Sequence, residues 1–164
     1  MTLKASLDRF CFWLEQTDFS QTIQSTPWIV PAVQTVHILA IATVLASVLM
    51  INLRLLGLVG PDQPIERQSR RFLPVIWWTL PVLLVTGIIM IIGEPGRSLK
   101  NPVFQLKMAL LVAAIAVTAL HQLRLARERL DPVPRRRGAA LLIAIPSFAL
   151  WTASVFAGRW IAYY

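Results

Sequence analysis

With 164 residues, 56% of them hydrophobic and 15% charged, and a mean hydropathy of +0.62, the chain carries more apolar sequence than one soluble core absorbs. Its 16 Lys and Arg outnumber 8 Asp and Glu, but the basic residues flank long uncharged runs and form no stripe on a soluble fold, which excludes a nucleic-acid-binding domain. The composition predicts an all-α integral membrane protein: a four-helix bundle with an N-terminal interfacial amphipathic helix, in one membrane domain over residues 1–164.

Residues 3–23 place Leu3, Leu7, Phe10 and Leu14 on one helical face, with Lys4, Asp8, Arg9, Glu15 and Asp18 elsewhere, so the segment is predicted to lie on the membrane surface or over the bundle ends. It lacks a continuous apolar run with a small-residue cleavage site, so no cleavable signal peptide is expected. The single cysteine, Cys11, excludes an intrachain disulfide and reads as a small buried hydrophobe. A first span is predicted over 28–53, ended by Arg54, and a second over 73–93 with a kink at Pro81. The third covers 103–123 and the fourth 139–162. Between them lie a Gly-, Pro- and Arg-containing loop at 57–72, a turn at 94–102 and a basic segment at 126–138.

Lys and Arg are more numerous at the ends joined by loops 57–72 and 126–138, where Arg54, Arg67, Arg70, Arg71, Arg124 and Arg127 belong, than at the ends carrying Lys4, Arg9, Arg97, Lys100, Lys107 and Arg159. The positive-inside rule then puts both termini outside, which in a bacterial inner membrane is the periplasm, with Trp28, Trp160, Tyr163 and Tyr164 as interfacial anchors.

Both histidines, His37 and His121, fall inside apolar helices, where ionisable groups are costly and tend to mark function. His37, Ala40, Ser47 and Arg54 share a face of the first span, and Ala114, Thr118 and His121 lie near the line through Lys107 on the third. Ser147, Ser154 and Gly158 form a small-residue stripe on the fourth, interrupted by Trp151 and followed by Arg159. Histidine inside such a bundle with cations at its edges suits b-type haem, imidazole binding the iron and guanidinium or ammonium pairing with propionates. A rise of 1.5 Å per residue places His37 about 14 Å and His121 about 27 Å from the outer surface, so two haems are expected in preference to one held by both. The outer site would combine His37 with Lys107 and Arg159, and the inner site His121 with Arg54 and Arg124. Met50 is a candidate inner ligand, and Met90 or Met108 an outer one. The alternatives are copper held by His37, His121 and Met50, and histidines that only bond a neighbouring helix. No carboxylate sits in a helix core and no HExxH, GxSxG or phosphate-binding loop occurs, so a hydrolase is excluded.

The order of motifs, TVHILA in the first span, NLRLLGL at its end, NPVFQLKMALL opening the third and a terminal GRWIAY, resembles a bacterial inner-membrane family of unknown function with four predicted helices. The resemblance spans about Trp28 to Tyr164, with Asn52 standing where an Asp is expected before LRLLG. A weaker likeness to copper-resistance D-type membrane proteins runs through the intramembrane His and Met residues. Together these lead to an inner-membrane haem b protein passing electrons between quinol and a partner. The rivals are a copper-binding or copper-transporting protein and a cofactor-free accessory subunit. The expected partners are the lipid bilayer, with a quinone and further copies of the chain as candidates, and no nucleic acid.

Overall fold

A computed structural model describes residues 3–59, 65–128 and 137–163, and all regular structure in them is helical. In chain order the elements are α1 (Leu3–Glu15), α2 (Asp18–Ser25), α3 (Ile29–Leu55), α4 (Ile65–Gly93), the short α5 (Pro95–Leu99), α6 (Pro102–Glu128) and α7 (Arg137–Trp160), closing with a 3-10 turn at Ile161–Tyr163. Among the described residues three helices, α3, α4 and α6, are long and apolar enough to cross a membrane. This is therefore a helical membrane protein. The 24-residue α7 is a fourth long helix, packed against α3 and α6.

Packing organises the bundle as two hairpins, α3 with α4 and α6 with α7, joined along an α3–α7 seam. Val44, Val48 and Ile51 of α3, Leu73 and Ile76 of α4, Ala114 of α6 and Ala144 and Trp151 of α7 fill the core. The predicted inward face of α3 is the buried one: Ala40, Val44, Ser47, Ile51 and Arg54 are all buried. Without a hydrophobic drive between helices in lipid, close packing of small residues such as Ala114, Ala144 and Ser147 supplies the contact. Leu39, Trp78, Leu84, Val112 and Leu142 point outward, as lipid contact requires. α4 and α6 meet through side chains and not by close backbone approach: Trp77 Nε1 donates to Gln122 Oε1 at 2.6 Å.

Three predicted boundaries are corrected. The amphipathic segment 3–23 is two helices: the chain breaks after Glu15, and the Thr17 hydroxyl caps α2 by accepting from Ser20 N. α4 begins at Ile65, eight residues before the predicted second span, so part of the 57–72 loop is helix. The turn at 94–102 contains α5, opened by Pro95. α4 is one unbroken helix through Pro74 and Pro81. The predicted basic segment lies outside the described residues at 129–136.

The N-terminal helices are fastened to the bundle end and still present an apolar face. Ser20 Oγ donates to Ile92 O at 2.7 Å, Gln24 Nε2 to Gly93 O at 2.9 Å, and Gly96 N to Glu15 Oε1 at 3.3 Å. Lys100 Nζ pairs with Asp8 Oδ1 at 2.6 Å, and this bond raises the Lys100 pKa. Cys11 is buried against Pro95, as expected for a small hydrophobe. Phe10, Phe12, Trp13 and Phe19 remain exposed, the pattern of a segment seated in the lipid interface. Ser20→Ala removes the bond to Ile92 and leaves that C=O short of a partner. A loss of about 1 kcal/mol in α2 docking is expected, read as faster amide exchange confined to residues 18–25; unchanged exchange there would show that the bond does not hold α2.

Candidate functional site

His37 sits on α3 facing α4, half-buried, with Nδ1 2.7 Å from Thr86 Oγ1. The Thr86 hydroxyl has one proton, and Val82 O lies 2.6 Å from it, one turn back on α4. Thr86 therefore accepts from His37, which assigns the proton to Nδ1 and leaves the lone pair on Nε2. A side chain at Gly87 would come to 3.7 Å from His37 Cε1, so the glycine leaves room on that side of the ring.

Lys107 approaches from α6 within electrostatic range of His37. Its stem lies over α7: a Cβ at Gly158 would meet Cε and Nζ at 3.4 Å. Gly158, the last residue of the stripe Ser147, Ser154, Gly158, thus leaves room for the lysine stem. His37, Thr86 and Lys107, from α3, α4 and α6, form one polar constellation within the bundle.

Arg159, expected beside them, follows Gly158 at the end of α7. It is exposed, and its guanidinium lies 5.7 Å over the Tyr163 ring, a cation–π contact one turn along the chain. Met90 and Met108 are half-buried.

His121, 5% exposed, lies in a second polar cluster towards the other end. With Asn52, Thr118 and Ser147 it lines a cavity of about 10 Å³ that Val48, Ile51, Leu73 and Ile76 complete. Thr118 Oγ1 donates to Ala114 O at 2.9 Å and accepts from Trp151 Nε1 at 3.2 Å. Arg54 is buried nearby in sequence from Asn52, while Arg124 is exposed and Met50 half-buried. The clusters are separate: Thr86 and Ile76 differ by ten positions on α4, about 15 Å at 1.5 Å per residue. Among the described residues no three His, Cys, Asp or Glu side chains converge as a metal site would require.

Thr86, Gly87 and Asn52 were not singled out as site residues by sequence reasoning. A Thr-Gly pair in an otherwise apolar run was the available signal for the first two. Asn52 was noticed only as a departure from an expected Asp, although an amide at that depth needs a partner, and its Nδ2 has none among the described residues.

Comparison with known proteins gives one match. The model of a family of unknown function, DUF6644, matches residues 11–164. No curated protein and no solved structure matches.

Proposed function

The chain belongs to the DUF6644 family of unknown function, and from its own residues we propose that it binds haem b at His37 and passes electrons between a quinol and a partner. The observation that carries this reading is the Thr86 contact. A ligating histidine characteristically gives its other N–H to a nearby oxygen, which fixes the tautomer and aims the free lone pair. His37 has that arrangement, with Nδ1–H on Thr86 and Nε2 left to bind.

The outer donor set fits the group. His37 would hold the iron and Lys107 a propionate, which a cation inside a bundle otherwise lacks. When bound, haem supplies one-electron transfer. The side chains do the rest: Thr86 holds the imidazole oriented, and Lys107 adds a positive charge beside it. The inner set does not fit. A cavity of about 10 Å³ beside His121 is far below the roughly 300 Å³ of the smallest ligand pockets. The proposal is therefore one haem, at His37.

The membrane placement belongs to the same reading: α7 is the fourth span, and the excess of Arg at the Arg54 and Arg124 ends puts both termini on the periplasmic side of a bacterial inner membrane.

A dithionite-reduced minus oxidised spectrum of the purified protein tests the proposal. One haem per chain and a sharp α-band are expected. Thr86→Val should weaken haem retention roughly 10- to 100-fold while Thr86→Ser preserves it, the range for losing the group that orients a ligating histidine. A colourless protein made with adequate haem overturns the reading, leaving copper, identified by metal analysis, or an accessory role, identified by co-purifying partners.

A further inference from the structure

At the end of the bundle that carries α1 and α2, a groove of about 580 Å³ opens between α2 and the ends of α3 and α4. Its walls include Gln24, Val30, Gly93, Glu15, Glu94 and Arg97. The rim is polar and fixed in place: Glu94 pairs with Arg97 at 3.1 Å, Glu15 accepts from Gly96 N, and Gln24 donates to Gly93 O. Ile23 sits so close to Gly93 that a Cβ there would meet its Cγ2 at 3.1 Å, so the glycine is what lets α2 seat beside the groove.

The register of this groove is informative. Val30 precedes His37 by seven residues on α3, and Gly93 follows Thr86 by seven on α4, so each groove residue lies on the same helical face as its polar partner. Seven residues at 1.5 Å put the groove floor about 10 Å above the His37–Thr86 pair. One layer intervenes on those faces, Val33 and Gln34 on α3 and Ile89 and Met90 on α4, of which Val33, Ile89 and Met90 are half-buried and Gln34 is exposed. Methionine is flexible and yields where a rigid branched side chain does not.

We propose that this groove is the aqueous vestibule of the His37 site, through which water and protons reach His37 past the Val33–Met90 layer. The polar rim holds water at the mouth, and the hydrogen-bonded α2 forms a fixed side wall. The route leads to a histidine whose Nε2 is a proton acceptor, with Lys107 as the one further charged side chain shown to act on it. Hydration of the route is independent of haem, whereas proton acceptance at Nε2 belongs to the site without iron on that nitrogen.

Cysteine accessibility tests the route directly. In a Cys11→Ala background, Met90→Cys and Val33→Cys are treated in nanodiscs with a charged, water-soluble methanethiosulfonate, which reacts only with hydrated thiolate. Ile88→Cys and Val36→Cys, whose native side chains are exposed on the same helices, are the lipid-facing controls. Both layer positions are expected to react roughly tenfold faster than the controls, since thiolate formation needs water. Adding Val30→Trp, which places a large ring on the groove floor above the layer, should slow both layer positions towards the control rate. Layer cysteines that react no faster than the controls, or that keep their rate in Val30→Trp protein, overturn the proposal.

Discussion

On the proposed reading, replacing His37 by alanine is expected to abolish the haem spectrum, whereas His121→Ala is expected to leave one haem per chain. The two residues look alike in sequence, each a lone histidine in an apolar helix. Their surroundings differ. His37 is half-buried, oriented by Thr86 and accompanied by Lys107, whereas His121 is enclosed with Asn52, Thr118 and Ser147 around a space of about 10 Å³. That space holds about one water and no porphyrin. The expected outcome is thus all-or-none at position 37, with a modest loss of stability at 121. Pyridine haemochrome counts on both variants decide it. Haem retained in His37→Ala and lost in His121→Ala would mean that the inner cluster opens to take the cofactor and that Thr86 orients a bystander.

The second large effect concerns stability. Trp151→Ala should cost about 3 kcal/mol, read as a shift in unfolding midpoint in detergent micelles. Trp151 is 4% exposed and lies against the core at the α6–α7 contact. Its apolar surface gains little by leaving lipid, so the loss is one of packing: dispersion contacts disappear and a void remains. Trp151→Phe separates volume from hydrogen bonding. It retains one six-membered ring and loses the bond to Thr118 with the rest of the indole, for about 1–2 kcal/mol. Equal losses in the two variants would assign the effect to the Thr118 bond.

Hydropathy made the long helices legible because a bilayer demands about 20 consecutive apolar residues. It also explains the misplaced boundaries. The segment IERQSRRF at 65–72 is polar enough to leave lipid yet sits in α4, since hydropathy marks the bilayer and not the helix. The break in the N-terminal segment had a local signal: Thr17 followed by Asp18 is a cap with an acid in the first turn, overlooked beside the apolar periodicity. Within the site, the different depths of His37 and His121 follow from helical rise alone. Thr86 did not emerge because a pair across two helices depends on which faces meet, and single-helix periodicity is silent on that. For Arg159, position near a helix end pointed to an anionic partner, and the structure shows its guanidinium over the Tyr163 ring, a contact that charge alone does not announce.

The Ser20–Ile92 bond also sets an order of events. Its partners are 72 residues apart, so α2 leaves the ribosome long before the backbone it docks on exists. The α3–α4 hairpin must be in place first, and the amino-terminal helices, synthesised earliest, are among the last to find their seat. Until then Phe10, Phe12, Trp13 and Phe19 have only the lipid surface to rest on, so the membrane interface serves as a waiting place for the segment that later walls the mouth of the bundle.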